Sequence, residues 1–133
     1  MVRAELAAEP YRVDITAAGH DLTGDESKAH GGGGAGPSPF DLVLSGLAAC
    51  TLITLRMYAE RKGWPGFTAS GRFRYRQEDG RHLIDRELEV SGAPDAAGVQ
   101  RLAEIAEKTP VTLALKAGFT ISTELTEAAS ARS

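Results

Sequence analysis

Residues 38–62, SPFDLVLSGLAACTLITLRMYAERK, constrain this chain more than any other stretch in it. Ser38 can cap a helix, Pro39 suits its first turn, and Asp41 stands three residues past the cap, where a capping box needs its acid. Gly63 is a natural C-terminal stop and Pro65 blocks any resumption, so the spacing predicts a helix from Pro39 to about Lys62. At 1.5 Å per residue that is a rod of roughly 36 Å, long for a chain of 133 residues. Its N-terminal half is apolar on every side, which a single thin layer cannot cover. Such a helix needs sheet on one side and another helix or subunit on the other. Its apolar stretch, Leu42 to Leu55, is interrupted by Ser45, Thr51 and Thr54. It covers about 14 residues against the roughly 20 that cross a bilayer, so a buried helix and no membrane span are expected.

Shorter elements flank it. Tyr11, Val13 and Ile15 alternate with polar residues as a half-wet strand does, Gly19 allows a turn, and residues 20–24 can return as a short partner. Residues 25–36, DESKAHGGGGAG, have no apolar periodicity and read as a mobile loop. Phe67–Gln77 and His82–Val90 alternate around Asp79-Gly80, a dipeptide favoured in tight hairpins. That loop sets Arg74 opposite Asp85, Arg72 opposite Glu87 and Tyr75 opposite Ile84. Arg72, Arg74 and Arg76 then have two readings, charge pairing on a solvated face or a basic patch for an anionic ligand. Pro94 and Asp95 open a second helix with Val99, Leu102, Ile105 and Ala106 at helical spacing, ending near Lys108 before Pro110. A helical turn through Leu115 and a last strand with Phe119, Ile121, Thr123 and Leu125 follow, and residues 127–133 read as a frayed tail. The pattern is that of one α+β domain over residues 1–133.

A composition of 42% hydrophobic and 25% charged residues with net charge −3 argues against a disordered or nucleic-acid-coating role. MVRAELAAEP carries charges where a signal peptide is apolar, and one cysteine makes no intrachain disulfide, so the cytoplasm is the expected compartment. HGGGGAGP lacks the Gly-Lys-Ser/Thr ending of a phosphate loop and reads as a flap beside a helix N-terminus, whose free amides could attract an anion. His20, Asp25, Glu26 and His30 have no ligand-like spacing, so surface positions and no metal are expected.

Cys50 is the one residue suited to redox or nucleophilic chemistry. It shares a helical stripe with Val43, Gly46, Leu47, Ile53, Thr54 and Met57. Gly46, one turn earlier, costs about 1 kcal/mol relative to alanine, so it implies either close packing there or access of a small molecule to the thiol. Inert packing and chemistry both stay open, since free cysteine is commonly buried. The helix's own N-terminal dipole acts over one turn and cannot reach a thiol about 12 residues in, so any activating cation has to come from elsewhere in the fold. Asp41 lies nearly opposite on the helix, about 13 Å along it, and cannot touch Cys50.

Taken together, GHDLTGDE (19–26), GPSPFDL (36–42), LAACT (47–51), RMYAERKGWP (56–65), IDRELEVSG (84–92) and AEKTPV (106–111) resemble the OsmC/Ohr family of osmotically inducible and organic-hydroperoxide-resistance proteins, its OsmC-like redox branch in particular. The resemblance runs from about Tyr11 to Leu125. It implies an intertwined α+β homodimer, antiparallel sheets wrapped around a long central helix that carries the first reactive cysteine, here Cys50. It also implies reduction of organic and inorganic peroxides through a sulfenic acid, which a second cysteine condenses to a disulfide for an external thiol reductant to reopen. No cofactor is implied. The second cysteine's Lys-Cys-Pro-Val context reads Lys108-Thr109-Pro110-Val111 here, and threonine forms no disulfide. The family's assisting glutamate falls at Phe40; Arg86 is the leading candidate for its arginine because the hairpin register turns it inward with Phe73, with Arg56 and Arg61 as further candidates. Phe40, Gly46, Leu47 and Thr54 are the expected pocket. The resemblance thus implies a one-cysteine peroxidase or, alternatively, a lapsed dimeric shell that binds a small apolar or anionic ligand.

Overall fold

Residues 1–129 are described by a computed structural model. In chain order they form β1 (Val2–Leu6), β2 (Val13–Ala17), β3 (His20–Gly24), α1 (Pro39–Arg61), β4 (Thr68–Glu78), β5 (Arg81–Ser91), α2 (Ala96–Ala106) and α3 (Pro110–Ala117). β1, β2 and β3 make one antiparallel sheet in that order, and β4 and β5 make a second. Residues 130–133, the end of the expected frayed tail, lie outside the described residues.

α1 begins as its first residues dictate. Ser38 Oγ accepts the Asp41 N–H at 3.3 Å and the Asp41 carboxylate accepts the Ser38 N–H at 3.4 Å, closing the capping box with Pro39 behind it. Leu44, Leu47, Thr51, Leu55 and Ala59 recur at helical spacing along one buried row. The lower part of that row packs into a core of Leu55, Ala59, Phe67, Leu102 and Ala106, with Trp64, Leu88 and Val90 against it. Each large side chain in it contributes about 1.5–3 kcal/mol. The opposite row is open: Val43, Ile53 and Met57 are exposed, as is Phe40 beside them. By length and a hydropathy of 1.6, α1 also suffices to cross a membrane, more than the interrupted apolar stretch alone indicates. Its packed row instead makes it the central core helix of this chain.

Asp79 and Gly80 take φ of 52° and 74°, the two left-handed positions of a type I′ hairpin, and they fix the register of β4 on β5. Arg72 faces Glu87, Arg74 faces Asp85, Tyr75 faces Ile84 and Phe73 faces Arg86, as the sequence predicts. The ion pairing shifts by one diagonal, because Arg76 rather than Arg74 takes Asp85 and also holds Glu78.

Three sequence-based expectations change. β1 has no counterpart among the expected strands, although Val2, Ala4 and Leu6 alternate with Arg3 and Glu5 along it. Phe119, Ile121, Thr123 and Leu125 form no strand and pair with neither sheet of this chain; Phe119 is 66% exposed and Leu125 89%. Nor is the glycine-rich segment simply a loose loop. Asp25 is buried, and its carboxylate accepts the backbone N–H groups of Glu26 at 2.7 Å and Ala35 at 3.0 Å, clasping both ends of the segment. A turn of 3₁₀ helix at Lys28–His30 lies between. Glycine is required here for close approach: a Cβ on Gly32 would stand 2.0 Å from the Glu26 carbonyl oxygen, and one on Gly36 2.2 Å from that of Thr23. Asp25 is therefore a buried organiser, not a surface acid.

The Ala35 N–H, opposed by desolvation and assisted by the N–H groups of Glu26 and Gly33 and by Arg12, holds the Asp25 carboxyl below the ordinary value of 3.8. A depressed carboxyl stabilises the fold above its unfolded value, and that stabilisation is lost as pH falls through the folded one. Limited proteolysis checks this: Asp25→Asn is expected to speed cleavage between residues 26 and 35 at neutral pH, and the wild-type segment to become similarly sensitive only below about pH 4. Equal neutral-pH cleavage rates would refute the clasp.

Candidate active site

Cys50 is half-buried at the boundary between the packed and open rows of α1. On its open side lies Gly46, where an added Cβ would meet nothing within 4 Å. Within the chain no segment packs closely on Gly46, so this glycine leaves the thiol approachable. On its closed side α1 meets the N-terminus of α3, capped by Thr109, whose Oγ1 accepts the Thr112 N–H at 3.2 Å.

That junction explains the thiol's acidity. Burial pushes the Cys50 thiol up, but its polar neighbours, the Val111 backbone N–H first and then the Thr109 and Thr54 side chains, outweigh it and hold the thiol below its ordinary value of 9.0. Thr54 has a single proton and gives it to the Cys50 carbonyl at 2.7 Å. The Val111 N–H is accordingly the leading group that favours the thiolate. Val111 lies in the first turn of α3, so that group comes from α3 rather than from the N-terminus of the helix that carries the cysteine.

Arg86 reaches the same junction from β5. Its Nη1 donates to Thr51 Oγ1 and to Thr112 Oγ1, each at 3.0 Å, and its Nη2 donates to the Ala106 carbonyl at 2.9 Å and to Glu107 Oε2 at 3.3 Å. Thr112 Oγ1 is in turn 2.7 Å from Thr109 Oγ1. Glu107 also binds Lys116 at 2.7 Å, and Lys116 first, then Arg86, holds its carboxyl low against desolvation. Arg86, Thr51, Thr112 and Thr109 thus form one connected polar cluster beside the thiol. Arg56 and Arg61 are exposed on α1 and join nothing there.

The expected pocket residues disperse. Leu47 lines a cleft of about 550 Å³ over Arg86 together with His82, Ile84, Thr112, Leu115 and Lys116. Phe40 lines a separate cleft and stacks on Tyr75 with ring centroids 3.9 Å apart. Gly46 and Thr54 border the thiol directly and line neither. Among the described residues no three His, Cys, Asp or Glu side chains gather as a metal site requires. Thr112 is the member of the cluster that the sequence conceals, since Thr-x-x-Thr at a helix start reads simply as a cap.

A long helix presenting one thiol to a junction of hairpin and short helices, with a second antiparallel sheet built from the N-terminal strands, is the α+β architecture of the OsmC/Ohr proteins. The chain belongs to the family of OsmC-like proteins, whose model matches residues 31–124. It is similar to the OsmC-like protein of Mycoplasma pneumoniae at 19% identity, covering 87% of this chain and 86% of that one with a TM-score of 0.68. The organic hydroperoxide resistance protein OsmC of Legionella pneumophila aligns at 17% identity over 87% and 88% of the two chains, TM-score 0.63. The organic hydroperoxide resistance protein OhrB of Bacillus subtilis aligns at 23% over 85% and 87%, TM-score 0.57. At these identities the likeness is one of fold. No curated protein matches the chain.

Replacing Arg86 removes a guanidinium that ties three helical segments to the hairpin. Arg86→Met is expected to destabilise the protein by about 2–4 kcal/mol in denaturant titration, since the hydrogen bonds lost each involve a charged donor. Arg86→Lys recovers only part of that, because an ammonium cannot fork between Thr51, Thr112 and Ala106. A Met variant as stable as wild type would contradict the assignment.

Proposed function

We propose that this protein is a thiol-dependent peroxidase for organic hydroperoxides, with Cys50 as nucleophile and an external thiol completing the cycle. The observation that carries the reading is the Cys50 thiol held below its ordinary value by polar groups at the start of α3, beside an open glycine. The Cys50 thiolate attacks the distal peroxide oxygen, an S–O bond forms as the O–O bond breaks, and the leaving alkoxide takes up a proton to depart as an alcohol. The sulfenic acid then reacts with one external thiol, releasing water and forming a mixed disulfide. A second external thiol attacks that disulfide, freeing Cys50 and carrying off an oxidised dithiol. No other cysteine exists in the chain, and Thr109 occupies the position from which a family resolving cysteine acts.

The working form in this reading is a homodimer in the cytoplasm, where reduced thiols are abundant. Val43, Ile53 and Met57 on α1 and Phe119, Ile121 and Leu125 beyond α3 are apolar and exposed, the kind of surface a second copy covers. Covering the Gly46 side of α1 encloses the thiol among apolar side chains, so alkyl and aryl hydroperoxides are the favoured substrates over hydrogen peroxide.

The test is consumption of cumene hydroperoxide with dithiothreitol present, alongside intact-mass measurement after one equivalent of peroxide without thiol. Wild type is expected to turn over, to favour cumene hydroperoxide over hydrogen peroxide, and to gain one oxygen in the single-equivalent experiment; Cys50→Ser is expected to do none of these. If both proteins are equally inert, the peroxidase reading fails and a ligand-binding shell is what remains.

A further inference from the structure

The inward row of β5 is covered unevenly. Leu88 and Val90 on it pack against the core and Arg86 is clasped by the helices, but Ile84, the next residue along the row, is 38% exposed. The space over Ile84 and Arg86 is the cleft of about 550 Å³, walled on its other side by Leu47 of α1 and by Leu115 and Lys116 of α3. Small-molecule sites have volumes in that range. Cys50 takes no part in its lining, so the cleft is distinct from the thiol's open side. The polar groups around it are unequally used. Of the five N–H groups of Arg86, the two on Nη1 go to Thr51 and Thr112 and the two on Nη2 to Ala106 and Glu107. Its Nε–H has no acceptor among the described residues. No buried side-chain nitrogen among them lacks a partner, so this N–H is open to the cleft that Arg86 lines. Lys116 Nζ has three protons and one contact, to Glu107 Oε1 at 2.7 Å.

The geometry points to a binding site in this cleft for a small amphipathic carboxylate, a medium-chain alkanoate in type, with its charge on the Arg86 Nε–H and Lys116 and its chain along Leu47, Ile84 and Leu115. Two cations here share one exposed carboxylate, Glu107, whose contact with Arg86 at 3.3 Å is long for a charge-assisted bond. The remaining ionisable groups of the lining are engaged elsewhere: Asp85 accepts from Arg76 at 2.5 Å, and His82 Nδ1 shares a hydrogen bond of 2.6 Å with the Tyr75 hydroxyl. One positive charge is therefore left over beside an apolar wall. Glu107 spans the same two cations from the rim and so competes with the ligand. The wall supplies what a bare anion cannot use, since each methylene laid on it leaves water. No step of the peroxide cycle passes through this cleft.

The test is calorimetric titration with octanoate at fixed ionic strength, with backbone amide shifts followed by NMR to locate the ligand. Wild type is expected to bind saturably, with the shifts concentrated on Ile84, Arg86, Leu115 and Lys116. Lys116→Met keeps the length of an exposed side chain and removes its charge, and is expected to weaken octanoate about tenfold. Glu107→Gln removes the competing carboxylate and is expected to tighten binding several-fold. 1-Octanol, the same chain without the charge, is expected to bind about tenfold more weakly than octanoate. Thermal unfolding in parallel shows that each variant is folded; both substitutions fall on an exposed ion pair, which contributes little to stability. Absence of binding in both wild type and Glu107→Gln overturns the inference. So does an affinity that Lys116→Met leaves unchanged, an affinity that Glu107→Gln fails to raise, octanol binding as tight as octanoate, or shifts confined to the Gly46 side of α1. Because no peroxide enters the experiment, inertness toward cumene hydroperoxide would sink the peroxidase reading and leave the carboxylate site standing.

Discussion

The guanidinium of Arg86 is the interaction on which the arrangement of this protein depends. One planar group binds α1 at Thr51, the end of α2 at Ala106 and α3 at Thr112, while its stem leaves β5 opposite Phe73. An arginine placed so deep is costly to desolvate, and it is tolerated because each inward-facing donor finds an oxygen and because its charge is balanced at the rim by Glu107. Among the described residues no buried side-chain nitrogen or oxygen lacks a partner. The hydrophobic core formed by Leu55, Ala59, Phe67, Leu102 and Ala106 supplies the bulk of the burial. Arg86 sets the angle at which α3 meets α1, and hence which atoms face Cys50.

Much of this could be read from the chain because the determining signals are local. The capping box at Ser38 and the Asp79-Gly80 turn lie within a few residues of what they control, and both appear as expected. The inward register of Arg86 follows from that turn alone, since the two-residue period of a strand leaves no freedom once the loop is fixed. The glycine tract misleads for the opposite reason. Its composition is that of a mobile segment, but Asp25 clasps its ends, and the burial of Asp25 depends on packing that no local pattern encodes. The alternating residues from Phe119 to Leu125 do carry a strand's pattern, but alternation alone does not supply a pairing partner, and they join neither sheet of this chain.

The site divides along the same line. Cys50 is conspicuous in the sequence, whereas the leading group that favours its thiolate, the Val111 N–H, comes from α3. What the sequence hides is that the start of α3 lies beside the thiol. Thr109 illustrates why: a threonine before proline at a helix start is fully accounted for as an N-cap. Its cap uses the oxygen as an acceptor, however, and leaves the proton unassigned. That the Thr109 hydroxyl also lies buried 2.7 Å from the Thr112 hydroxyl, and so joins the cluster around Arg86, is visible only in three dimensions.

This bears on what the replacement of a cysteine by threonine does at position 109. A thiol there accepts weakly and caps poorly, so it can serve as a resolving group while contributing little to the start of α3. A hydroxyl reverses the balance: it closes the cap by accepting the Thr112 N–H at 3.2 Å and shares a hydrogen bond of 2.7 Å with the Thr112 hydroxyl. Under the proposed peroxidase reading, the same change removes the internal resolving step of a two-cysteine cycle. The open face at Gly46 then becomes more important rather than less, because a cycle without an internal partner requires room at the sulfur for a thiol from outside.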